Sequence, residues 1–173
     1  MLHLVLARPP PSATTRGPLT TRLPVRIRQR SLIDRPPERV WSYVIRPEHF
    51  QTWNSKITAL DATGEFRLGQ TFTTRYKWND KVITCVTVPT EISEAHVLEL
   101  RHAHPTGVGV RPDMEVQERI TLRGFGRRTI VTKIITIKNH GMPWFLIPVV
   151  WFVGNFGARV GPDPLKVLCE RQP

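Results

Sequence analysis

Between residues 55 and 138 hydrophobic and polar positions alternate in six short runs, near 55 to 62, 70 to 78, 81 to 89, 96 to 103, 113 to 123 and 127 to 138. A period of two with short links predicts consecutive antiparallel strands. Trp78-Asn79-Asp80-Lys81 reads as a tight hairpin, and Gly124-Phe125-Gly126 supplies glycines for another. Upstream, Val25, Ile27, Leu32 and Ile33 predict a first strand that ends at Pro36 and Pro37, where backbone donors are missing. Asp34 is placed to cap the next helix, whose apolar stripe is Val40, Trp41, Val44 and Ile45. Pro47 ends that helix, and a second short one, from Glu48 to about Trp53, turns Phe50 and Trp53 toward the sheet.

Residues 143–170 are the most apolar part of the chain, with Trp144 through Ile147 and Val149 through Val153 hydrophobic on nearly every side. A helix of that kind must be buried in protein or lipid. A membrane span needs about 20 apolar residues, whereas this run holds Pro148 and then meets Gly154, Asn155 and Arg159. The expectation is therefore a long C-terminal helix, kinked at Pro148 and Gly154, buried across the sheet. Residues 1–22 carry Pro9, Pro10, Pro11 and Pro18 without a stable hydrophobic period, so they read as a flexible lead that folding does not need. Residues 23–173 then form one domain. The run from Leu2 to Leu6 stops at Arg8, too early for a secretory signal; the lead's acid-free composition resembles a transit peptide but is equally common in disordered tails.

Strand, two short helices, six strands and a long helix is the order found in the START-like superfamily, also called the SRPBCC or polyketide cyclase and lipid-transport group. Local wording agrees. Ser31-Leu32-Ile33-Asp34-Arg35-Pro36-Pro37-Glu38-Arg39-Val40-Trp41 resembles the family's opening, Pro47 to Asn54 its second helix ending in Trp, and Leu68-Gly69-Gln70-Thr71-Phe72 its glycine-led third strand. The resemblance covers about residues 25–170 and implies an α+β helix-grip fold: a curved antiparallel sheet of about seven strands, two short helices and a long C-terminal helix enclosing a cavity. It also implies a hydrophobic ligand such as a lipid, polyketide, quinone or aromatic compound. The group has no invariant catalytic motif to carry over.

Strand alternation then sorts the candidate residues. Phe72, Thr74, Tyr76 and Trp78 share one face; Leu98, Leu100, His102 and His104 share another; Met114, Val116, Glu118, Ile120 and Leu122 form a third row. Together with Trp144 and Trp151 these rows are the expected cavity lining. Glu118 is the odd member of an apolar row, and a desolvated carboxylate should have a raised pKa unless a base compensates. Glu118 and His102 are the candidate catalytic residues; the plainer reading makes Glu118 a paired or rim carboxylate and the histidines residents of an open strand end. His102-x-His104 with Glu118 has the ligand types of a zinc site, but no further Cys, His or Asp cluster joins it, so no metal is assigned and no cofactor is expected. Gly107-Val108-Gly109 is read as a turn, since the third glycine and following helix of a nucleotide loop are missing.

Charge widens the range of partners. The formal charge is +11, but eight of the 25 Lys and Arg residues precede position 40, and others recur singly along strands at Arg75, Lys77, Lys81, Arg119 and Arg123, the pattern of a solvated sheet face. An anionic membrane surface remains a candidate partner. Nucleic acid is disfavoured because no binding motif accompanies the charge. With only Cys85 and Cys169, a reducing cytoplasmic setting is expected, for a monomer or homodimer. Three functions stay open: a binding module or carrier for a hydrophobic small molecule, a polyketide-cyclase-like enzyme using Glu118 or His102 as acid or base, and a basic interaction protein.

Overall fold

The computed structural model describes residues 23–78, 80–156 and 163–171. The leading residues 1–22, and Asn79 of the expected hairpin, lie outside the described residues. Seven strands form a single antiparallel sheet: β1 (Val25–Ile33), β2 (Ile57–Leu60), β3 (Phe72–Trp78), β4 (Lys81–Ser93), β5 (Val97–Thr106), β6 (Glu115–Phe125) and β7 (Arg128–Lys138). Their order is β1-β7-β6-β5-β4-β3-β2, so the chain walks across the sheet from β2 to β7 and β1 closes against β7. Phe125 pairs with Arg128 around a two-residue turn in which Gly126 takes φ +61°, a conformation glycine adopts without a Cβ clash.

The sheet is curled. Register shifts interrupt the β4–β5 pairing between Thr84 and Val86 and between Pro89 and Glu91, and such bulges bend a strand and raise its twist. They also explain how Pro89, which has no donor for the ladder, sits inside a long central strand. On the concave face α1 (Pro37–Val44) and α2 (Pro47–Trp53) cover one end of the sheet. Both begin with proline in the first turn, where its missing N–H costs nothing. Asp34 is not the expected cap: the N-cap of α1 is Pro36, and the Asp34 carboxylate instead pairs with Arg128 at 3.2 Å. The core lies at this end, where Val40, Val44, Phe50 and Trp53 pack on Ile33, Leu98, Leu100, Ile120 and Leu122.

The C-terminal segment departs from the single buried helix expected of it. A 3-10 turn, Trp144–Leu146, leads into α3 (Ile147–Phe156), and a separate helix, α4 (Pro164–Arg171), follows. The physical reason is local. Pro164 sets a new helix start, and Asp163 caps it by accepting the Leu165 N–H at 3.0 Å. Among the described residues of this segment only those of α4 reach the core, through Leu165 and Cys169. No residue of α3 is buried; Pro148 falls in its first turn, and Gly154 makes a close contact with β1.

Cys85 and Cys169 are unpaired and buried, and burial is the leading cause of their raised pKa values, about 11 and about 12. Alkylation requires the thiolate. Both thiols should therefore resist iodoacetamide at pH 8 in the native protein and react within minutes in denaturant, counted by mass spectrometry; labelling of the native chain would mean that one of them opens to solvent.

Candidate functional site

The inward positions of β5, β6 and β7 carry an otherwise apolar surface interrupted by three ionisable side chains, His102, Glu118 and Lys133. Leu100 pairs with Glu118, Val116 with His102 and Ile120 with Lys133, so the three stand diagonally across adjacent strands on one face. His102 is 3% exposed and Glu118 4%. A buried polar chain leads to them from β3 and β4. The Thr74 and Thr87 hydroxyls are hydrogen-bonded at 2.8 Å, Thr87 Oγ1 and His102 Nδ1 at 2.8 Å, and the Tyr76 hydroxyl lies 3.2 Å from both imidazole nitrogens. His102 Nε2 ends the chain 3.9 Å from Glu118 Oε2, and Glu118 Oε1 has no hydrogen-bond partner among the described residues.

The electrostatics invert the simplest expectation for Glu118. Desolvation is the largest influence and raises its pKa, but His102, Lys133 and Lys56 together outweigh it and leave the value below the ordinary carboxylate range. The compensation comes first from the His102 side chain and then from the charge of Lys133, whose Nζ also stands 4.1 Å above the Trp53 ring. Burial lowers the Lys133 pKa, against the opposing pull of Glu118 and Asp163. Burial pushes the Tyr76 phenol well above 10, and the Glu118 charge adds to the shift. The site therefore favours the ionised form of Glu118 and the neutral form of Tyr76, while burial opposes the charge on Lys133.

A cavity of about 1000 Å³ opens beside this cluster. Its walls include Gln29 and Ser31 of β1, Lys133 and Ile135 of β7, Glu118 of β6, Trp53 at the end of α2 and Lys56 after it, Gly154 and Asn155 of α3, and Asp163 and Lys166 at the start of α4. Asp163 is held there by the Ser31 hydroxyl, which donates to it at 2.5 Å.

Of the residues expected to line a cavity, Glu118 does so; His102 lies behind it in the polar chain. Phe72, Leu98, Leu100 and Ile120 face inward as alternation requires but are sealed in the core, with Phe72 stacked on Phe66. Tyr76 is half-buried on the same face, and Met114 and Val116 are partly buried outside the cavity wall. Trp78 ends β3, with its side chain outside what is described. Two placements are corrected. Trp144 and Trp151, expected against the cavity, are 82% and 47% exposed because α3 lies outside the core. His104 does not share the face of His102: it adopts φ +50° where β5 leaves its regular pairing and is exposed, so no two-histidine strand face exists.

Lys133 was legible by the rule that singled out Glu118, since it is the lone cation in the inward row Thr129, Val131, Lys133, Ile135 and Ile137. Lys56 and Asp163 sit outside strands and carry no such signal.

This architecture and its sequence find a match among known proteins. Residues 34–134, more than half of the chain, match the family described as Activator of Hsp90 ATPase homolog 1-like protein. The chain belongs to that family. As a member of the Activator of Hsp90 ATPase homolog 1-like family it is a START-like, SRPBCC-superfamily protein, and solved structures repeat its fold. A START superfamily protein from Mycobacterium smegmatis matches with a TM-score of 0.66 at 12% identity, covering 86% of this chain and 99% of that one. Mll3558 from Rhizobium loti matches at 0.59 and 13% identity, covering 86% and 96%. DynU16, a protein of the dynemicin biosynthetic locus, matches at 0.52 and 19% identity over 84% of this chain and 47% of its own length. No curated protein sequence matches the chain. Identities this low establish the shared fold of this family member and leave its chemistry to its own residues.

Proposed function

We propose that this chain binds a hydrophobic small molecule with a hydrogen-bond-donating polar end, as a carrier or binding module. The observation that carries the reading is Glu118, a buried carboxylate in the wall of a cavity of about 1000 Å³, with one oxygen that has no partner among the described residues. A buried acceptor without a donor costs about 1–3 kcal/mol, which a hydroxyl or N–H on a ligand relieves. The volume sits at the upper end of the roughly 300–1,000 Å³ typical of small-molecule pockets. Leu32, Ile130 and Ile135 supply apolar contact for the body of the ligand. The START-like fold, in which hydrophobic ligands lie between sheet and helices, supports the same reading.

Binding is preferred to acid–base catalysis on the state of Glu118. An efficient general acid or base at neutral pH has a pKa near 7, whereas Glu118 is held below the ordinary carboxylate value. It is better suited to accept a hydrogen bond than to exchange a proton.

Native mass spectrometry of the chain purified from its own host tests the proposal. A retained hydrophobic compound that organic extraction removes is expected, and Glu118→Gln should weaken its rebinding about tenfold to a hundredfold, corresponding to roughly 1.4–3 kcal/mol. Failure to retain any compound, together with no binding of fatty-acid, aromatic or polyketide probes, would count decisively against it.

A further inference from the structure

We propose that α3 and the adjoining edge strand β1 form a docking surface for an anionic lipid bilayer. In this arrangement α3 lies in the plane of the interface among the acyl chains, and Arg26, Arg28 and Arg30 lie at the headgroups. Between residues 144 and 156, eight large apolar side chains are each at least 40% exposed, Trp144 at 82% and Phe152 at 60% among them. Soluble surfaces seldom present such a contiguous apolar patch without a partner. The helix is nonetheless fastened to the fold. Asn155 Oδ1 accepts the Arg28 N–H at 2.9 Å, its Nδ2 donates to the Arg26 carbonyl at 3.4 Å, and Gly154 packs so closely that an added Cβ would stand 2.7 Å from Ile27.

Charge complementarity selects the occupant. An interfacial helix joins an apolar face that enters the lipid to a cationic face that meets anionic headgroups. α3 has no charged residue of its own, and β1 supplies the cations next to it. Arg26, Arg28 and Arg30 are exposed, and none of the ion pairs found among the described residues involves them. β1, β7 and α3 together contain no carboxylate. A second copy docking here about a two-fold axis would bring these arginines against their own equivalents. Nucleic acid would engage the arginines but leave the tryptophans and phenylalanines in water. No described helix is long and apolar enough to cross a membrane, so the contact is with the surface. Gly154 and Asn155 belong to the cavity wall as well, which brings the proposed ligand site to the bilayer.

Co-flotation of the full chain with phosphatidylcholine vesicles, with and without phosphatidylserine, decides the matter independently of whether the cavity binds a ligand. Binding is expected only when phosphatidylserine is present, with weakening as salt rises and a blue shift of tryptophan emission. Phe152→Asp should reduce binding at least tenfold. Replacing Arg26, Arg28 and Arg30 singly by Gln should cost about fivefold each, which corresponds to roughly 1 kcal/mol per basic residue near an anionic surface. These positions are exposed, and circular dichroism checks that each variant folds; if Phe152→Asp does not fold, the arginine series stands alone. Lack of flotation, flotation unaffected by every variant, or a dimer in sedimentation that Phe152→Asp dissociates without any vesicle binding overturns the proposal.

Discussion

Phe50→Ala is expected to lower the unfolding free energy by about 3–5 kcal/mol, the cost of removing a large buried aromatic side chain and leaving a cavity. Phe50 is fully buried on α2, edge-on to Trp53 at 4.7 Å and to Phe66 at 5.6 Å between ring centroids. Those neighbours cannot collapse into the gap. Trp53 is tied by its indole N–H to the Tyr43 carbonyl at 3.0 Å, and Phe66 is stacked on Phe72 at 5.3 Å. Since domains are stable by only about 5–15 kcal/mol, the loss is a large share of the total. Urea denaturation checks it: the midpoint should fall sharply with little change in slope. A loss below about 1 kcal/mol would mean that α2 is not part of the cooperative core.

Glu118→Gln should cost about 1–3 kcal/mol at neutral pH, because it removes an anion whose neighbours are cationic and leaves Lys133 without that compensation. The sign of the pH dependence follows from the shift. Folding holds the Glu118 pKa below its ordinary value of 4.5, so the unfolded chain takes up the proton first as pH falls. The stabilisation is fully present above about pH 4.5 and is lost as pH drops toward the folded pKa. The parent protein should thus lose stability relative to Glu118→Gln below pH 4.5, and the two denaturation curves should draw together. If their separation instead stays constant from pH 7 to pH 3, the carboxylate is not the titrating group in this site.

Much of the fold was legible because strand alternation, proline placement and turn glycines act over a few residues. The run from Val25 to Ile33, the helices after Pro36 and Pro47, and the strands that follow each carry their own local signal, and all appear in the structure. Glu118 and Lys133 are legible for a related reason: a charged residue in an inward apolar row has no solvent to face, so its neighbours must answer it.

Local patterns did not decide which surfaces meet. His104 obeyed the alternation of its strand in sequence but not in space, since the irregular pairing of β4 and β5 changes the side on which it emerges. The apolar run after Pro143 specified that its helix seeks a nonpolar environment, which is a property of composition. Whether the protein itself supplies that environment depends on how much of the concave face remains open after α1, α2 and α4 have packed on it. Those three helices close the core with Val40, Val44, Phe50, Leu165 and Cys169, leaving α3 on the edge of β1 with its apolar side chains outward. Sequence alone determined the strands, the first two helices and the odd charge of Glu118 in its apolar row; only tertiary packing decided that the most hydrophobic segment lies outside the core, because burial is shared among competing elements and is not a property of any one of them.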